Sequence, residues 1–255
     1  MSTVRRVAIV TGAASGIGRA IALRLANDGF NLGLNDLPSS TVKLRQVADK
    51  ASKVGIKAIL VPGDVSSEED VKGLVNATVN QLGGVDAMVA NAGIANFCPF
   101  TELTSEQWDR TLAVHARGAF LCYKYAVHQM IKQGRGGRII GASSIYGKIS
   151  GPYAANYCAA KFAIRGLTQA VAQEVGIHGI TVNAYAPGVI STPLIDALPD
   201  DMKSDLVGRA SNEAAVKRLG QPEDVANVVS FLASENSDFI IGQTFSVNGG
   251  WHVFD

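Results

Sequence analysis

One rhythm constrains this chain more than any other feature. Short, continuous apolar runs alternate with longer stretches of helical spacing. The apolar runs at 7–10, 30–35, 58–61, 87–90, 138–141, 181–185 and 244–247 read as strands. Helical patterns occupy 17–27, 41–54, from a Ser66 or Ser67 cap to 82, 104–133 with a break near Gly118, 153–175 and 222–233. Strands that are apolar throughout belong to a parallel sheet buried on both faces between helices. No repeat, linker or change of composition divides the 255 residues. The expectation is an α/β fold, one doubly wound domain over 1–255 with a parallel sheet of about seven strands. The stretch 191–216 departs from the rhythm. It carries Pro193 and Pro199 and follows the C-terminal end of a strand, where such folds bind ligands. It is expected to be a partly helical lid over the substrate site.

Charge and composition narrow the function. Lys and Arg number 23 against 22 for Asp and Glu, with no basic run, which argues against nucleic acid as a partner. No segment reaches the ~18 unbroken apolar residues of a membrane span. Arg5 and Arg6 before the first apolar run imitate a signal peptide, but the run is too short. Cys98, Cys122 and Cys158 lack metal-ligand spacing and cannot all pair internally, which fits a reducing, cytoplasmic setting. His128, His178 and His252 show no ligand spacing either, so no metal site is expected.

Gly12, Ser15, Gly16, Ile17 and Gly18 lie between the first strand and the first helix. Glycines there permit a tight turn and a close backbone approach to a pyrophosphate at the helix N-terminus. The order strand, glycine turn, helix, second strand is that of a Rossmann dinucleotide site. Asp36 ends the second strand, where a carboxylate can accept hydrogen bonds from both ribose hydroxyls and would repel a 2′-phosphate. Leu37 stands where an NADP site often places a basic residue, so the expected cofactor is NAD(H). Arg19 lies inside the first helical turn and is not read as a phosphate ligand. Asp64 and Val65 follow the third strand and are candidates to flank the adenine.

Tyr157 and Lys161 are four residues apart in a helical stretch and therefore share one face. A free phenol has a pKa of about 10. A neighbouring cation stabilises the phenolate, and reaching about 7 needs roughly 4 kcal/mol. Lys161 together with a nicotinium ring would be expected to supply it.

At this point the residues resemble the classical short-chain dehydrogenase/reductases. The resemblance rests on T-G-A-A-S-G-I-G (residues 11–18), Asn91-Ala92-Gly93, Ser144, Tyr157-x-x-x-Lys161 and Pro187-Gly188, and covers essentially the whole chain. Residues 161–169 and 179–185 look closest to diacetyl/acetoin (butanediol) reductases, with much shared by 3-oxoacyl reductases. The resemblance implies Tyr157 as acid and base, Lys161 holding the nicotinamide ribose, and Ser144 bonding the substrate oxygen. It also implies Asn91, Ala92 and Gly93 beside the cofactor, and Pro187, Gly188, Ile190 and Thr192 at its nicotinamide end. One departure stands out. The family has an asparagine in a V-N-x-x-G run, and here the run is Val114-His115-Ala116-Arg117-Gly118. His115 either joins a proton path or only preserves the helix kink.

Phe97, Phe100, Ile145, Tyr146, Tyr153, Leu194 and Ile195 are candidate walls of the substrate pocket. Their apolar character favours a small neutral ketone or alcohol over a charged acid. The alternatives are a non-redox family enzyme, such as an epimerase or dehydratase, and a silent dinucleotide sensor. The first usually carries a longer C-terminal domain, and the second tends to lose the tyrosine or the lysine. The alanine-rich helix after Tyr153 and the aromatic tail 249–254 resemble subunit contacts, so a homotetramer is expected.

Overall fold

In the computed structural model, which describes residues 5–253, seven strands lie side by side in one parallel sheet. They are β1 (Val7–Thr11), β2 (Asn31–Asn35), β3 (Ala58–Leu60), β4 (Ala87–Ala90), β5 (Gly137–Ala142), β6 (Ile180–Pro187) and β7 (Thr244–Val247). Their order is β3-β2-β1-β4-β5-β6-β7. The chain starts in the middle and builds outward, first to one edge and then to the other. The order reverses between β1 and β4, which pair through Ala8 with Ala87 and Val10 with Val89. At such a switch point the connections leave in opposite directions and open a crevice beyond the carboxyl ends of the strands.

Alternation along each strand explains the two helix layers. Ala8, Val10, Ala87 and Val89 face one core, built with helices α1 (Gly16–Asn27), α2 (Thr41–Lys53) and one formed by Pro222–Ala233. Ile9, Met88 and Ile139 face the other, built with α3 (Glu68–Leu82) and two long helices that follow β4 and β5. Because both faces are covered, β1 is buried at every residue.

Local signals set the helix ends. The Ser67 hydroxyl accepts from the Asp70 N–H, and Gly83, at φ 93°, closes α3. Thr104 and Gln107 form a reciprocal capping box that starts α4 (Ser105–Leu112). The expected break near Gly118 is a π-turn over Ala113–Arg117, which carries His115, before α5 (Gly118–Gln133). Insertions of this kind widen one helical turn and re-aim the side chains on it.

The helix carrying Tyr157 and Lys161 is α6 (Ala155–Val175). It begins later than expected. Tyr153 has φ 62°, outside the helical region, and its carbonyl accepts from Cys98 N–H at 2.9 Å. The 191–216 stretch contains α7 (Pro193–Asp196) and α8 (Asp200–Glu213), and α9 (Pro222–Ala233) follows with proline in its first turn. Among the described residues no helix is long and apolar enough to cross a membrane, and all three cysteines are free.

Candidate active site

A cleft of about 300 Å³ opens beyond the carboxyl ends of β1, β4, β5 and β6. Every residue expected at the site lines it, with two exceptions. Tyr153 does not line the cleft and is 55% exposed, because its left-handed backbone turns it outward. Phe100 is likewise exposed and away from the cleft.

The floor of one end is the glycine turn. Gly12 has φ 64°, and a Cβ on Gly18 would overlap the Gly12 carbonyl oxygen, so neither position accepts a side chain without rebuilding the turn. Asn91 locks that turn to its neighbours. Its Nδ2 donates to the Thr11 carbonyl at 2.9 Å, and its Oδ1 accepts from the Tyr185 hydroxyl at 2.8 Å. The N–H groups of Asn91 and Ala92 donate to the Thr11 hydroxyl at 3.0 and 3.1 Å. Three strand ends, from β1, β4 and β6, are thereby tied at one point.

Beside the turn, the Asp36 carboxylate accepts from Ala14 N–H at 3.0 Å and Leu37 N–H at 2.9 Å. Two backbone donors hold it at the cleft, with lone pairs left to accept hydroxyls. Further along, Asp64 accepts from the Ser66 N–H and hydroxyl, and from both terminal nitrogens of Arg110 at 3.1 Å. Partial burial raises the Asp64 pKa, but the Ser66 and Arg110 bonds outweigh it and hold the carboxyl below its ordinary range. The Arg110 charge is thus met by Asp64. Arg19 is not part of the lining.

The other end brings together β5, the turn after it and α6. Ser144 follows β5 and accepts from Tyr146 N–H at 3.1 Å. Tyr157 is wedged between rings: Phe97 at 5.4 Å, His115 at 5.3 Å and Tyr146 at 6.4 Å between centroids. One turn on, buried Lys161 donates from Nζ to the Ala142 carbonyl at 2.7 Å and lies 5.3 Å from the Tyr157 ring centre. The expected depression of the phenol called on Lys161 together with a nicotinium ring; burial within the chain acts the other way. Burial pushes the Tyr157 phenol up to about 12, against a Ser144 hydrogen bond that favours the phenolate. Burial likewise pushes Lys161 down to about 7. Spacing brought the two groups together, but desolvation drives each toward its neutral form.

His115 is buried on the π-turn, with Nε2 at 2.8 Å from the Ile94 carbonyl. Burial, and next the Lys161 charge, hold its pKa well below the ordinary value, so the ring is neutral. The neutral tautomer that donates to Ile94 leaves Nδ1 buried without a partner. The ring fits only because residue 93 is glycine; a Cβ there would come within 2.6 Å of the imidazole Cε1.

Arg110, Tyr185, Leu206 and Trp251 also line the cleft and were not expected there. Tyr185 read as a buried strand residue. Arg110 and Leu206 carried no motif. The expected role of Trp251, with the tail, is a subunit contact; it also lines the cleft of its own chain, while Phe254 is outside the described residues.

Comparison with known proteins agrees with this architecture. A family model described as enoyl-(acyl carrier protein) reductase matches residues 12–252. A short-chain dehydrogenase/reductase of Hericium erinaceus, eriH, is 48% identical over 250 residues, covering 97% of this chain and 98% of that protein. The 3-oxoacyl-[acyl-carrier-protein] reductase FabG of Staphylococcus aureus is 38% identical over 246 residues, covering 96% and 98%. Among solved structures, acetoin dehydrogenase YohF from Salmonella typhimurium superposes with a TM-score of 0.87 at 37% identity, over 97% of this chain and 96% of that one. The switch-point cleft, the glycine turn and whole-length similarity to these oxidoreductases together place the chain in the short-chain dehydrogenase/reductase family.

Proposed function

We propose that this protein is an NAD(H)-dependent oxidoreductase that interconverts a ketone and a secondary alcohol. The observation that carries the reading is the placing of Ser144, Tyr157 and Lys161 on one wall of a cleft whose far end is the glycine turn and Asp36. The cradle fits a dinucleotide: Gly18 has no room for a side chain, and Asp36 is held by two N–H groups with acceptor capacity to spare. The fixed carboxylate favours a free ribose over a 2′-phosphate, and Asp64 already meets the Arg110 charge. Bound NAD(H) supplies or accepts the hydride, and its oxidised ring is cationic.

The rest of the chemistry falls to the chain. The Ser144 hydroxyl bonds the substrate oxygen and steadies charge that develops there. The Tyr157 phenol, kept protonated by burial, delivers its proton to that oxygen during ketone reduction and takes it back during alcohol oxidation. Lys161 holds the nicotinamide ribose, and its charge together with the oxidised ring favours the phenolate in the alcohol direction. Phe97, Tyr146, Ile145, Leu194 and Ile195 surround the substrate with apolar surface and exclude water. The 191–216 segment, with α7 and α8, closes over them as a lid. Phe120 on α5 and Phe162 on α6 are exposed, which supports pairing of these helices with their copies in a homotetramer.

The test is Tyr157→Phe, which removes the proton and little volume. General acid–base steps are worth about 10²–10⁴-fold. NADH should still bind, measured by its fluorescence, while turnover of ketones falls by at least that lower figure. A loss under about tenfold would sink the assignment.

A further inference from the structure

Behind the cleft lies a second cavity of about 370 Å³, beneath α8 and β7. Its walls include Ala210, Ala214, Val216, Val247, Gly249 and Gly250. The charges in it, Arg218 and Asp224, are spent on each other in a two-pronged ion pair. Val189, Ile190 and Trp251 line both spaces. Val189 and Ile190 are buried, at 8% and 3% exposure, in the segment that leaves β6. Trp251 is different: it comes from the tail and is fixed by side-chain contact with α8.

Three features dock the tail on the last residue of α8 and the segment that follows it. The Trp251 indole N–H donates to Glu213 Oε2 at 2.7 Å. The Val216 N–H donates to the Gly249 carbonyl at 3.0 Å. Gly250 has φ 75°, and a Cβ there would stand 2.9 Å from the Ala215 Cβ, so the tail lies against the end of α8. The indole is therefore a held partition between a largely apolar cleft and a second cavity of mixed lining, where Ser246 and Asn248 stand beside the apolar walls.

We propose that Trp251 sets the length of substrate the cleft accepts, by closing the way into the second cavity, and that Glu213 positions it there. The inference rests on the reading of the cleft as a ketone site. The second cavity has no unpaired charge in its lining, so the substituent that would enter on removal of the indole is an uncharged chain, for which a straight alkyl chain is the simplest probe.

The experiment is a series of straight-chain methyl ketones, from butanone to dodecanone, offered with NADH to the full-length wild type, Trp251→Phe, Trp251→Ala and Glu213→Gln. A second arm measures indole quenching by the same ketones in a Trp108→Phe background, which leaves Trp251 as the sole tryptophan of the chain. A methylene in an apolar pocket is worth about tenfold or more in discrimination. The wild type should lose kcat/KM at the length that reaches the indole, chiefly through KM. Trp251→Ala should move that limit to longer ketones and raise the dodecanone-to-butanone ratio by about tenfold or more. Trp251→Phe should keep the limit, and Glu213→Gln should blur it. An unchanged limit in Trp251→Ala overturns the proposal. If the wild type turns over no ketone, the proposed reaction fails, and quenching decides Trp251: length-dependent quenching supports the partition, and its absence with every ketone overturns it.

Discussion

Lys161 should make this protein less stable at neutral pH than the same fold without it. Its ammonium is buried, with one recorded hydrogen-bond partner, the Ala142 carbonyl, and burial brings the group from 10.5 down to about 7. At ~1.4 kcal/mol for each factor of ten in proton affinity, that is ~5 kcal/mol against folding when the unfolded lysine is charged. The sign follows from proton counts. Between pH 7 and 10.5 the unfolded chain binds the extra proton, so stability rises with pH; below 7 the penalty is complete. Lys161→Met removes the penalty but leaves the Ala142 carbonyl unpaired, at about 1–3 kcal/mol. The variant should be inactive yet more stable by roughly 2–4 kcal/mol at pH 6.5, and the advantage should vanish near pH 9.5. Urea unfolding at fixed protomer concentration, at four pH values between these limits, measures the difference, and titrations common to both proteins cancel. A difference that does not change with pH, or a variant less stable at pH 6.5, refutes the argument.

Other outcomes are expected. Wild type should prefer NADH by the ratio of kcat/KM, and Asp36→Ala with Leu37→Arg should shift the ratio toward NADPH; equal wild-type values would contradict the role of Asp36. His115→Asn should retain activity with an unmoved pH–rate profile, because the buried neutral imidazole does not titrate near neutrality; a displaced limb would show that it joins the proton path. Light scattering at micromolar concentration should give about four times the chain mass of 26.7 kDa, and a stable, active monomer would exclude the tetramer.

Much of this was legible in sequence because it is local. Continuous apolar runs gave the strands, and the four-residue step from Tyr157 to Lys161 was enough to put both on one helical face. Glycine spacing located the turn, since only backbone geometry is at stake there. What escaped depends on distance or on burial. Trp251 reaches the cleft through contacts with α8, almost forty positions earlier, which no periodicity encodes. Tyr153 looked like the start of a helix, yet its carbonyl is taken by Cys98 and its backbone turns away. The opposing effect of burial on the Tyr157–Lys161 pair escaped for the same reason: neighbours are written in the chain, but the loss of water around them is a property of the folded whole.

The knot at Asn91 divides the molecule into parts with different freedom to change. Thr11, Asn91 and Tyr185 join three strand ends through hydrogen bonds that involve neither α7, α8 nor the tail. The chassis that sets the distance between the glycine turn and the strand ends beside it does not lean on these other parts of the cleft lining. Descendants of such a gene can exchange those parts, residue by residue or wholesale, and try new molecules in an old frame. They inherit the alignment intact, and only the fit is put at risk.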